Sequence, residues 1–308
     1  MINRTIIRIK VLQIVYAYYQ KNNNDLVLAE NELMFSIQKS YDLYHYLLLL
    51  IVLLTDAEQK RLDIQKNKLL ATDAERNPNL RLAENRLAEH LNRNEQLKKF
   101  AREKGTFWND EDFLFIRSTL NKILQSDLYK NYLESDDTFE SDRNFWLKIF
   151  KQLILKEEEL NVVLEDQSVY WNDDLEIIGT FVLKTLRRFP AEASPSQALF
   201  PLFRDSEDKD FAVQLLHHAI LGGEDNNSRI TNQIKNWDID RLAQLDLYIL
   251  QIALAELRNF PSIPISVTLN EYIDLARYYS TPKSPVFING ILDAIVKELK
   301  NEKLLFKN

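Results

Sequence analysis

Few residues in this chain are placed to do chemistry, and the clearest of them are cations. The first 24 residues, MINRTIIRIKVLQIVYAYYQKNNN, carry Arg4, Arg8, Lys10 and Lys21 but no Asp or Glu, in a chain of net charge −7. The overall charge argues against a nucleic-acid binder, so a case for an anionic partner has to rest on a local patch of this kind. At 100° per residue, Lys10, Gln13, Ala17, Gln20 and Lys21 fall on one narrow helical stripe. Arg4 and Arg8 lie one turn apart on a different face and are expected to stay solvated at an end that protrudes from the bundle. Reacting constellations do not emerge. The histidines are His45, His90, His217 and His218. The adjacent pair points to two helix faces, whereas a zinc-binding helix needs histidines four apart. Asp173-Asp174 and Glu157-Glu158-Glu159 sit in charged helical surroundings and read as solvated faces. The 5 glycines form neither GxGxxG nor GxxxxGK[ST]. With no cysteine, thiolate nucleophiles, thiolate metal sites and disulfides all drop out, which fits a cytoplasmic protein. No enzyme, cofactor or metal is expected.

The elements that must carry these residues are helices. Glycine and proline number only 5 and 8 in 308 residues, too few for hairpins and barrels. Helices are expected at roughly 110–134, 141–165, 173–189, 207–222, 227–236, 239–258, 266–279 and 285–300, and the fold class is all-α. Ser284-Pro285 places a cap residue before a proline at the first helical position. The run YLLLLIVLL, from Tyr46 to Leu54, is too short for a bilayer and reads as a buried core helix, so no membrane is expected. Residues 55–105 are very polar, broken at Asn77-Pro78-Asn79, with sparse leucines at 82, 87, 91 and 97. They read as a solvent-facing helical excursion with partial disorder.

A repeat at an offset of 66 residues is one reading of the middle of the chain, and chance likeness of amphipathic helices is the other. DRNFWLKIFKQLI from Asp142 parallels DKDFAVQLLHHAI from Asp208, Trp171 then matches Trp237, and both copies end in Phe-Pro. The repeat would make residues 139–190 a degenerate copy of 205–261.

The C-terminal hundred residues resemble the NusB family. ILQIALAEL (249–257), FPSIPISVTLNEYIDLARYYST (260–281) and SPVFINGILDAI (284–295) follow that family's pattern. Asn270, Glu271, Leu275, Ala276, Ser284, Phe287, Asn289, Gly290, Leu292 and Asp293 match in order and spacing. Arg4, Arg8, Gln13 and Tyr16 align with the family's arginine-rich opening helix. The departures are Ile6 and Ile7 where arginines are expected, Gln251 in place of an arginine, and a length about twice the usual. The resemblance implies a NusB-like helical bundle with an additional helical extension. Its parts are an N-terminal basic helix (1–22) packed on a C-terminal module (206–308), with residues 23–205 as the extension.

The resemblance implies a transcription antitermination factor, not an enzyme. It would bind boxA-type single-stranded RNA of ribosomal RNA leaders together with the ribosomal protein NusE, and load onto the transcribing RNA polymerase complex. Cations for phosphates would come from Arg4, Arg8 and Lys10, and stacking faces for bases from Tyr16 and Phe287, with Tyr18 and Tyr19 as further candidates. Asp246 aligns with an acidic position near the NusE-facing surface. Asn289 and Gly290 belong to the signature. A mid-helix glycine costs about 1 kcal/mol against alanine, and Gly290 is expected to recover that cost by admitting a neighbouring helix backbone. The alternative function is a protein-interaction scaffold of the same fold with weak or lost RNA binding. A methyltransferase carrying such a domain is excluded, because it needs a glycine-rich cofactor domain and a cysteine.

Overall fold

The computed structural model describes residues 1–21, 25–104, 108, 113–234 and 243–305. Among them there are fifteen α-helices and no strand; a single parallel bridge joins Ile2 and Phe203. The chain divides into two compact units. Unit 2 is discontinuous, comprising residues 2–37 and 203–308, and unit 1 comprises residue 1 and residues 38–202.

Unit 2 is built around α13 (Gln244–Asn259), which packs against α1 (Arg4–Gln20), α11 (Ser206–Leu221), α12 (Gly223–Ile234), α14 (Ile265–Tyr279) and α15 (Ser284–Asn301). Every residue from Tyr248 to Leu257 is buried. A helix apolar on all sides has to be central, because no face of it tolerates water. The N-terminal helix α1 packs on α11 and α13 within this unit. It starts at Asn3, whose side chain accepts from the Ile6 amide. The helix expected at 227–236 begins earlier, at Gly223, directly after Gly222 closes α11. Gly223 has no room for a side chain: a Cβ there would lie 2.5 Å from Tyr19 Oη and 2.9 Å from Gln251 Nε2.

Helix α2 (Leu26–Lys66) contributes its first residues to unit 2 and the rest to unit 1. Its Tyr46–Leu54 run is largely buried, and Tyr44 Oη lies 2.6 Å from Thr185 Oγ1. The polar stretch 67–104 folds into α3 (Asp73–Arg76), α4 (Arg86–Arg93) and α5 (Glu95–Lys104). Leu82, Leu87, Leu91 and Leu97 are all buried, as are Phe100, Asn85 and Asn94, and Arg86 reaches Asp142 at 2.6 Å, so a segment that reads as solvated is docked by both apolar and polar contacts. Two expected helices are broken. Residues 110–134 give α6 (Phe113–Gln125) and α7 (Asp127–Glu134), because Ser126 caps the second by accepting from the Tyr129 amide. Residues 141–165 give α8 (Phe139–Gln152), a 3-10 turn at Ile154–Lys156 that buries Ile154, and α9 (Glu158–Gln167). Helix α10 (Leu175–Arg188) packs on α8 and ends at Phe189.

The two halves of the proposed repeat share particular features. Asp142 in α8 and Asp208 in α11 are both buried in a first turn, and each meets an arginine: Arg86 Nε at 2.6 Å and Arg4 Nε at 3.4 Å respectively. Three residues on, Phe145 and Phe211 are both buried. Trp237 lies outside the described residues.

The expected role of Gly290 is not what the packing provides. Gly290 is exposed, and a Cβ built on it meets nothing within 4 Å. The buried face of α15 is Phe287, Ile288, Ile291, Leu292, Ile295 and Leu299, and the glycine points away from it. Gly290→Ala therefore stabilises the fold by about 1 kcal/mol through helix propensity alone. A urea midpoint that stays level or falls would restore the close-packing role.

Candidate nucleic-acid interface

Arg8 is the pivot of the N-terminal site, and it faces inward. Its guanidinium grips Glu256 of α13 in two bonds, Nε to Oε2 at 2.7 Å and Nη2 to Oε1 at 2.8 Å. Nη1 lies 3.2 Å from Glu271 Oε2 on α14. Thr268 donates to Glu256 Oε1 at 2.9 Å and Tyr272 to Oε2 at 3.0 Å, so both carboxylate oxygens are fully used. Arg8 and Glu256 are 2% and 0% exposed, which decides that this is a core ion pair and not a surface cation. Burial alone would depress the Arg8 guanidinium, but the bonds to Glu256 and the charge of Glu271 outweigh it and raise its pKa. Burial, then the Glu256 charge, pushes the Tyr272 phenol well above its ordinary value.

The remaining sequence candidates separate into hidden and open groups. Lys10 is fully buried, so like Arg8 it does not present its charge to solvent. Arg4 is the accessible cation of the three, about a third exposed, with Asp208 at 3.4 Å and the Phe211 ring centroid 5.0 Å from its guanidinium. Tyr16 is 40% exposed and meets Tyr248 edge-on at 6.0 Å. Tyr19 stacks on Tyr248 at 5.3 Å and shares a 2.7 Å bond with Gln251 Nε2. Gln251, where the family pattern has arginine, thus acts as an internal tie, also donating to the Ala219 carbonyl at 2.7 Å. Phe287 is buried on the core side of α15, so it is not an open stacking platform. Asp246 is corrected as well. It is buried and accepts from Ser280 Oγ at 2.6 Å and Ser284 Oγ at 2.8 Å, clamping the α14–α15 turn instead of facing a partner.

What lies open is one face of α15: Val286, Asn289, Gly290, Asp293 and Lys297 are all exposed. Sequence reasoning missed Glu256 as the acceptor for Arg8. The signal was present, since Glu256 is the single acid inside the apolar run ILQIALAEL. A buried acid demands a cation or hydrogen-bond donors, and the apolar neighbours of Glu256 on its own helix supply neither.

The module belongs to the class of all-α bundles, with one face of α15 and the Arg4 edge of α1 accessible to solvent. A family model described as the NusB family matches residues 182–297. The Transcription antitermination protein NusB of Geotalea daltonii is 36% identical over 138 residues, which is 44% of this chain and 92% of that protein. The protein of the same name from Salinibacter ruber is 36% identical over 107 residues, 35% of this chain and 67% of its own length. That from Chloroherpeton thalassium is 36% identical over 104 residues, 34% of this chain and 49% of its own length. The chain belongs to the NusB family. No solved structure matches it. The family match takes in α11–α13, α14 and most of α15 together with the end of α10, and leaves α1 outside.

Removing one member of the buried pair leaves the other charged and unsolvated. Glu256→Ala is expected to cost about 3–5 kcal/mol, with Thr268 and Tyr272 also losing their acceptor. Urea unfolding checks this, and a loss below about 1 kcal/mol would mean that Arg8 reaches water by another route.

Proposed function

We propose that this chain is a transcription antitermination factor that binds boxA-type single-stranded RNA of ribosomal RNA leaders together with ribosomal protein NusE, and acts with the transcribing RNA polymerase complex. The observation that carries the reading is the open glycine of α15. Gly290 costs the helix about 1 kcal/mol, and among the described residues nothing lies within 4 Å of where its side chain would be. Its use is therefore with a molecule outside the chain, for which a missing side chain clears a close approach. Asn289 beside it is a polar group able to donate to and accept from a base or a peptide. The proposed contacts of the module are Arg4 for phosphate, Tyr16 for a base, and the Asn289–Gly290 face for RNA or NusE.

A second reading, a protein-interaction scaffold with weak RNA binding, is favoured by the burial of Arg8 and Lys10. Filter retention of a boxA-like RNA, with and without NusE, separates the two. On the first reading RNA is retained, and more tightly with NusE present; retention in neither case leaves the scaffold. Gly290→Leu is the site test. Its side chain enters open space, so the fold holds, and affinity for the RNA–NusE pair drops at least tenfold. Unchanged affinity in the folded variant removes the α15 face from the interface.

A further inference from the structure

The cations hidden in α1 have open counterparts in unit 1. Residues 143–156 contain Arg143, Lys148, Lys151 and Lys156 and no acid; residues 177–191 contain Lys184, Arg187 and Arg188 and no acid. These two stretches, α8 with its following turn and α10, pack antiparallel. At one end Arg143 Nη1 donates to the Phe189 carbonyl at 3.3 Å, and at the other the Leu155 side chain fills the space a Cβ on Gly179 would need. Lys148, Lys151, Lys184, Arg187 and Arg188 are all exposed, and among the described residues none of them meets a carboxylate. Most of the flanking acids are engaged or set apart: Glu140 is bound to Arg143, Glu157 and Glu159 to Lys122, and Glu176 lies two turns before Lys184, while Glu158 and Glu192 are exposed at the ends of the two stretches.

The cations form stripes. Asn144, Lys148 and Lys151 recur one turn apart on the exposed face of α8, and Thr180, Lys184, Arg187 and Arg188 do so on α10. Two heads rest on aromatic rings, Lys184 Nζ at 4.8 Å from the Phe181 centroid and the Arg188 guanidinium at 5.8 Å from that of Phe200. Such seating limits their freedom without neutralising them. Helix-end electrostatics account for Lys151, Arg187 and Arg188, which lie in last turns, but not for Lys148 or Lys184.

We propose that the α8–α10 face of unit 1 is a phosphate-binding surface for single-stranded RNA, an inference that rests on reading the chain as an RNA-binding antitermination factor. The chemistry favours RNA over an acidic protein. A protein interface needs apolar anchors at its centre and is depleted in lysine. These two stripes present cations and small polar groups and no large exposed apolar side chain. Phosphates need only cations, repeated here about once per 5.4 Å turn of helix.

The test uses the full chain and a boxA-like single-stranded RNA, measured against a scrambled RNA and polyglutamate, with K148A, K151A, K184A and R187A combined. Arg188 is spared because it packs on Phe200. Each phosphate contact on a single strand contributes about 0.7 to the log–log salt slope, so the four-fold variant should bind with a slope about 3 units shallower and at least tenfold weaker at low salt. Helicity and the urea midpoint should not change, and the four Lys/Arg exchanges (K148R, K151R, K184R, R187K) should retain binding. Unchanged slope and affinity in the variant, with Gly290→Leu still impaired, would overturn this surface and leave the proposed function standing. Equal loss of boxA-like and scrambled RNA would support the surface and count against boxA selectivity. Tighter binding of polyglutamate than of either RNA, or no RNA bound by the unaltered chain even with NusE, would overturn it.

Discussion

The module is organised around a charge that cannot be left alone. Helix α13 is buried on every side from Tyr248 to Leu257, and an ionised carboxylate in that stretch would cost many kcal/mol without a partner. Arg8 supplies that partner from the first helix, 248 residues away in sequence. Its planar fork matches the carboxylate in two bonds, which a lysine could not do. The third nitrogen reaches Glu271, so one side chain ties α1, α13 and α14 together. Thr268 and Tyr272 complete the carboxylate shell from α14. A Met or Leu pair of similar volume can serve a core as well as a buried ion pair; here the two bonds between Arg8 and Glu256 tie α1 to α13.

This explains how much the sequence could disclose. The helical class was legible because glycine and proline are scarce and apolar periodicity is strong in α10, α13 and α15. The α15 buried face could be read residue by residue. The fate of the cations could not. Arg8 and Lys10 looked like solvated charges because nothing local to α1 opposes them, and the opposing acid is contributed by a helix at the other end of the chain. Asp246 misled for the same reason: its partners, Ser280 and Ser284, lie beyond another helix. The break at Ser126 was written in a capping side chain but in no glycine or proline. In residues 67–104 the composition suggests solvent, while spaced leucines together with Phe100, Asn94 and Arg86 dock the segment. The cost of Gly290 is legible in the sequence, but not that no described residue packs against it.

The discontinuity of unit 2 bears on how the family module accommodates the rest of the chain. Residues 2–37 and 203–308 form one body, so the intervening residues enter and leave it at a single pair of positions in α2 and just before α11. Near the exit, Phe203 pairs with Ile2 of the same unit through a parallel backbone bridge. The relatives align over about a third to under half of this chain.

The long separation of Arg8 from Glu256 also sets an order of events at the ribosome. Helix α1 leaves the exit tunnel apolar nearly all round, with its guanidinium unpaired. At roughly 5–20 residues per second, its acceptor follows some ten to fifty seconds later. Unit 1, contiguous over residues 38–202, can close its core in that interval. Helix α1 thus emerges long before α11 and α13, the helices it packs on, and cannot complete its burial until they are made.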